Sequence, residues 1–202
     1  MTKGRLEAFS DGVFSIVITL LILDVRLPND AAPLLDGLRE VLPQTVTFVL
    51  SFVIVGVYWV AHHNMLHFVR AVDRYLLWLN LTLLLTVVFI PFSASLMGRH
   101  IDDPLAVIVY GVNLMLVNAA GTALWLYATA RRALTHDEVP PALRLFVARL
   151  HMSPDLVYAA AVALGRWQIA LSLVLFAAVP AFFILPYSFI DRRLRAASAA
   201  RE

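Results

Sequence analysis

Apolar runs of about twenty residues recur along the chain, separated by short segments that hold most of its charge. A run of that length is what an α-helix needs to cross a hydrocarbon core roughly 30 Å thick, where a helix alone satisfies its backbone hydrogen bonds within one segment. Six runs are read from the sequence, at about residues 6–27, 41–61, 75–97, 105–129, 143–164 and 167–189. The fifth is the least regular. Arg144, Arg149, His151, Pro154 and Asp155 crowd it, so only its AAAVAL end suits lipid and its start is expected at the interface. The sixth contains Pro180 and Pro186, which neighbouring helices accommodate. Composition agrees: 61% of the residues are apolar and 15% charged, and mean hydropathy is +0.80. A soluble domain is nearer half apolar and a quarter charged, and 202 residues cannot hide this excess in a soluble core. The expected fold is all-α, a polytopic membrane protein forming a single membrane domain over residues 1–202 with the lipid bilayer as its solvent.

The basic residues set the orientation. With six spans and the N-terminus inside, the cytoplasmic segments hold Lys3, Arg5, Arg70, Arg74, Arg131, Arg132, Arg144, Arg149, Arg192, Arg193, Arg195 and Arg201. The outer segments hold only Arg26, Arg39, Arg99 and Arg166. This asymmetry follows the positive-inside rule and puts both termini in the cytoplasm. Because the cations lie between apolar runs and form no patch, the pI near 9.2 does not point to nucleic acid. The chain has no cysteine, which excludes disulfides, thiolate metal sites, thiol catalysis and c-type haem attachment. Glu7, Asp11 and Asp24 interrupt the first run and no small-residue cleavage site follows it, so it is expected to stay in the mature protein.

Chemistry concentrates on the first helix. Asp11 lies about 9 Å along the axis from Arg5, deep for a carboxylate, and an ionisable group there marks an interior partner or a water-filled path. At 100° per residue Glu7, Asp11, Ser15, Ile18 and Ile22 share one face, with Phe9, Gly12, Ile16, Thr19, Leu20, Leu23 and Leu27 broadly opposite. The acid and the apolar row of Ile16, Leu20 and Leu23 therefore serve different neighbours.

The pattern Arg5-xxx-Phe9-Ser10-Asp11 resembles the signature of the transmembrane protein 175 family of potassium channels. The ITLLIL run that follows, the stretch from Trp59 to His63 and the LLWLNL segment of the third helix are similar to bacterial members, over roughly the first hundred residues. The resemblance implies a six-helix subunit without voltage sensor or pore loop, assembling in bacteria as a homotetramer around a pore lined by first helices. The sequence contains no TVGYG-type filter, in agreement with that implication. Ile16 falls where the family has its narrowest hydrophobic ring, Leu20 and Leu23 continue that lining outward, and Thr19 stands beside it. Ser10 and Asp11 correspond to residues that hold the first helix to its neighbours. Their partners are expected among Trp59 or His63 on the second helix and Asn80 on the third. Arg5 is expected to snorkel to the cytoplasmic interface or to pair with an acid there.

Other features carry less. His63 and His67 have ligand-like i, i+4 spacing, but His62 lies on a different face and no HExxH motif or carboxylate companion accompanies them. They are read as interfacial or structural, with no fixed metal site and only transient potassium in the pore. No GxSxG, Walker or GxGxxG pattern and no inward carboxylate pair occurs, so neither an enzyme nor a cofactor is expected. Asp24, Asp30, Asp36, Glu40, Asp102 and Asp103 lie at the outer mouth, either as rings that concentrate cations or as ordinarily solvated loop residues. Trp59, Trp78, Trp125 and Trp167 require no role beyond packing and interface anchoring. The sequence thus reads as a potassium-permeable cation channel of the cell inner membrane with a hydrophobic constriction and modest selectivity. The rival readings are a proton-coupled carrier of a small solute in which Asp11 titrates, and a membrane scaffold without permeation.

Overall fold

The computed structural model describes residues 2–27 and 33–184. The elements in chain order are α1 (Lys3–Leu20), closed by a 3-10 turn at Leu21–Asp24, then α2 (Leu34–Phe68), α3 (Arg74–Val88), α4 (Ile90–Arg99), α5 (Pro104–Ala130), α6 (Pro141–Leu164) and α7 (Ile169–Ile184). Pro91 separates α3 from α4. It has no amide hydrogen to give the carbonyl one turn earlier, so one apolar run becomes two helices sharing a rod from Arg74 to Arg99. The described residues therefore form six helical rods.

The boundaries differ from the sequence reading where polarity and helicity part company. The second rod extends at both ends of the 41–61 run, because the lipid criterion stops at His62 while helix propensity does not. At 35 residues it is about 52 Å long, more than the hydrocarbon core, so its ends emerge from the bilayer. The first rod finishes earlier than expected, at Asp24, where the chain tightens into the 3-10 turn. The fifth is one continuous helix through Pro154. The sixth is described to Ile184, so the expected end at Phe189, like Asp30 and the arginines of the tail, lies outside the described residues. Four rods, Lys3–Asp24, Leu34–Phe68, Arg74–Arg99 and Pro104–Ala130, are long and apolar enough to cross a membrane; α7 is a shorter apolar helix and α6 carries the charges already noted.

Capping residues start two of these helices. Asp73 accepts the Leu76 amide at 2.8 Å, and Asp103 accepts the Leu105 amide at 2.8 Å with Pro104 at the first helical position. Asp73 also accepts the Tyr127 hydroxyl at 2.7 Å. Desolvation raises the Asp73 pKa, but these two donors and the Arg131 charge outweigh it and leave the carboxyl below its ordinary value. At the same end of the bundle, Val69 and Thr135 form an antiparallel bridge that ties the α2–α3 connection to the α5–α6 connection.

The core runs along α5, which packs against α3, α4 and α6; α7 lies on α6 and α2, and α1 packs on α2 and α3. Tyr110, Trp125, Tyr158, Phe14 and Phe176 fill it. Lipid offers helices little hydrophobic reason to associate, so interhelical hydrogen bonds and close packing matter more than in water. Tyr110 shares a hydrogen bond with Ser51 at 2.9 Å, Ser93 donates to Asn113 at 2.8 Å, and Ser172 donates to the Ala161 carbonyl at 2.7 Å.

Gly111 shows how tight the α5–α6 contact is. A Cβ there would run into Val162 Cγ2 and stand 3.4 Å from Phe176 Cζ, whereas one at Gly121 would meet its nearest neighbour, Leu83 Cδ1, at 4.0 Å. Gly111→Ala is expected to destabilise the bundle by about 1–3 kcal/mol and lower its melting temperature in detergent, while Gly121→Ala leaves it near the parent value. Equal melting temperatures for the two variants would show that α6 yields without cost.

Candidate functional site

Helix α1 has two unlike faces. Leu6, Ser10, Phe14, Val17 and Leu21, at intervals of four, four, three and four, are buried against α2 and α3. Broadly opposite, Phe9, Ile16, Leu20 and Leu23 are 51%, 58%, 41% and 54% exposed within the subunit. The packed stripe is thus not the row of Glu7, Asp11, Ser15, Ile18 and Ile22. Asp11 and Ile18 are half-buried at its edge, and Ser15 and Ile22 are exposed. A directional bond decides the matter: Ser10, in the middle of the packed stripe, is held by Asn80 of α3, and Leu6, Phe14, Val17 and Leu21 lie on the same side of the helix.

Two side-chain links fix this face. Trp59 on α2 donates its indole N–H to Asp11 Oδ1 at 2.8 Å. Asn80 on α3, fully buried, donates Nδ2 to Ser10 Oγ at 3.0 Å and shares a 2.8 Å bond between its Oδ1 and His62 Nε2. Because the Asn80 carbonyl oxygen only accepts, His62 must carry its proton on Nε2. Its Nδ1 is then a bare acceptor, buried and unbonded among the described residues. The His62 ring lies 5.5 Å from that of Phe14, and His62 lines a cavity of about 50 Å³ with Tyr58, Met65, Asn118 and His151. One polar chain thereby joins three helices, Ser10 on α1 to Asn80 on α3 to His62 on α2.

The sequence reading had placed His63 among the partners of Ser10 and Asp11. Instead, His63 Nε2 meets His67 Nε2 at 3.1 Å and its ring stacks 5.7 Å from Trp59. The reason is angular. Trp59 and His63 share a face, but the longer indole already occupies Asp11, and the next residue toward α3 is His62. His62, which the sequence reading weighed only against a metal site, lies on the face of α2 turned toward Asn80.

The remaining residues fall as follows. Arg5 is exposed, and the nearby Glu7 carboxylate pairs with Lys3 at 3.5 Å. Thr19 is exposed and donates its hydroxyl to the Ile16 carbonyl at 2.8 Å, which leaves its oxygen lone pairs outward. Asp24 is not a free acid of the outer mouth: Arg99, in the last turn of α4, pairs with it at 2.9 Å. Asp36 likewise meets Arg39 at 3.4 Å. Among the described residues no group of three histidine or carboxylate side chains is placed to hold a metal ion.

A family model described as the endosomal/lysosomal potassium channel TMEM175 matches residues 5–91, the part of the chain that contains α1, α2, α3 and the links between them. A protein named as a potassium channel in Streptomyces collinus is 38% identical over 133 residues, which are 63% of this chain and 65% of that one. The chain therefore spans a little under two thirds of that relative's length. Another named potassium channel, from Chamaesiphon minutus, is 35% identical over 139 residues, 65% of this chain and 68% of that protein. In three dimensions the chain is similar to the crystal structure of a lysosomal potassium-selective channel TMEM175 homologue from Chamaesiphon minutus. The TM-score is 0.76 at 28% identity, covering 91% of this chain and 97% of that one. Sequence and fold agree across the site-bearing helices, and the chain belongs to the TMEM175 family, as a multi-pass membrane protein.

Proposed function

We propose that the chain is one subunit of a potassium-permeable cation channel, a homotetramer in which four copies of α1 line the pore and Ile16 forms its hydrophobic constriction. The observation that carries this reading is the division of α1. One face is bonded to α2 and α3, while Ile16, 58% exposed, and the row around it have no cover within the subunit. A row of that kind needs lipid or copies of itself, and four isoleucine side chains around one axis can close a pore sterically or by dewetting. The potassium channels named among the relatives support the choice of ion. The distribution of arginines supports a cell inner-membrane location with both termini cytoplasmic. Asp11 is a structural acid in this reading, since its carboxylate is engaged by a Trp59 donor on a neighbouring helix, and this favours the channel over the carrier. The decisive experiment reconstitutes the purified protein into liposomes. Potassium flux without a proton gradient supports the channel, flux that requires the gradient supports the carrier, and no flux at all supports the scaffold.

Ile16→Asn is expected to raise basal potassium flux several-fold, because a polar ring wets more readily. Ile18→Val, at the edge of the packed stripe, leaves flux at the parent level. Unchanged conductance and open probability in Ile16→Asn would remove Ile16 from the constriction.

Thr19→Val deletes a hydroxyl at nearly constant volume. Potassium-over-sodium preference is expected to fall more than total current. Identical bi-ionic reversal potentials for the two proteins would mean that Thr19 does not face the ion.

Asn80→Leu strands both Ser10 and the His62 N–H, at about 1–3 kcal/mol for each buried group left unpaired. Trp59→Phe opens a single bond, at a residue 38% exposed within the subunit and to an acid that is only half-buried, so its loss is smaller. Melting in detergent should rank the two in that order, and assembled Asn80→Leu protein should keep its selectivity. A parent-like melting temperature for Asn80→Leu would show that this chain of bonds does not hold α1.

A further inference from the structure

His63 and His67 stand outside the Ser10–Asn80–His62 chain. Both are exposed, one turn apart on α2 beyond the Trp59–Asp11 bond, with Nε2 atoms 3.1 Å apart and ring planes at 89°. Two nitrogens bound to one cation at about 2.0–2.1 Å lie about 3.0 Å apart at a right-angled site and about 3.4 Å apart at a tetrahedral one. The observed separation falls between these values. Spacing alone leaves such a pair as interfacial histidines; the convergence of the two Nε2 atoms is the added observation.

We propose that His63 and His67 form a two-imidazole chelate for a first-row divalent transition cation of the nickel, copper or zinc type. Imidazole nitrogens suit these ions, whereas potassium and magnesium favour oxygen. In the metal-free chain one ring donates its Nε2–H to the other. On binding, the donor ring moves that proton to Nδ1, so both Nε2 lone pairs face the cation and the pair releases no net proton. No third histidine or carboxylate joins them among the described residues, so water fills the remaining coordination positions. The site has a structural consequence. His63 stacks on Trp59, and Trp59 holds Asp11, so chelation pins the end of α2 next to the α1 bond. The inference stands apart from the channel reading, because binding is read without any flux measurement.

The test is calorimetric titration of NiCl2 into the purified full chain in detergent, after removal of any polyhistidine tag. One nickel per chain is expected. Loss of even an outer-shell partner costs metal sites about 10–100-fold, so His63→Gln and His67→Gln should each weaken binding at least tenfold. His100→Gln, at an exposed histidine just past the end of α4, should bind as the parent does. Both His63 and His67 are exposed, so the variants should fold, and an unaltered gel-filtration profile establishes that they do. With CuCl2, electron paramagnetic resonance should show hyperfine coupling to two imidazole nitrogens, reduced to one in either variant. Parent-like affinity in the His63→Gln/His67→Gln double variant overturns the proposal, as does a copper spectrum that the single substitutions leave unchanged.

Discussion

A helix in lipid gains little by hiding its apolar side chains from its surroundings, since the surroundings are equally apolar. Whatever fixes α1 on its neighbours must therefore be directional, and the described bonds to α2 and α3 are few. Asn80 contributes most because it works at both ends of its amide, donating to Ser10 while accepting from His62. Neither of its partners is a charged group, so burial carries no ionic desolvation cost. Trp59 and Asp11 add a second, more exposed point of attachment near the same depth. With those points fixed, the rotation of α1 is set, and so is the identity of the residues on its uncovered side.

That division of labour explains how much of the site the sequence disclosed. The six rods were legible because hydrophobic length is a property of single segments, and the Arg5-xxx-Phe9-Ser10-Asp11 pattern carried the family. Trp59 and Asn80 were legible as partners through the same resemblance, and both carry the N–H groups that a carboxylate and a hydroxyl can accept from. The choice between His62 and His63 was not. It depends on which arc of α2 faces α3, a tertiary relation that spacing along α2 alone does not contain. The same limit applies to Asp24. Its charge is plain in the sequence, but its pairing with Arg99 joins residues 75 positions apart through the meeting of α1 and α4. The packed stripe of α1 lies beside the acid's own row for a related reason. A single helical wheel assigns faces by chemistry, whereas Ser10 is buried by the partner that Asn80 supplies.

The ends of the helices repeat the lesson. Polarity marks where lipid stops, not where a helix stops, and α2 continues past His62 because nothing in HHNMLH breaks it. The proposed cation pair exists only because of this extension. Had α2 ended with its apolar run, His63 and His67 would sit in a loop with no reason to converge.

The pairing of the acids also bears on how the proposed pore would choose its ion. A ring of free carboxylates would attract cations with little regard to size, but Asp24 is paired with Arg99 and Asp11 is engaged by Trp59. Fixed charge is therefore a weak source of selectivity here. What α1 offers along its uncovered face is aliphatic wall at Ile16, Leu20 and Leu23 with one hydroxyl oxygen, that of Thr19, held against the helix by its own bond to the Ile16 carbonyl. An aliphatic ring cannot replace a hydration shell, so the proposed constriction would favour the ion that gives up water at least cost, which is potassium before sodium. The Thr19 oxygens can return only part of that loss. Such a pore discriminates by the difference in dehydration between two ions and not by a fitted coordination cage, and a modest preference is the physical consequence.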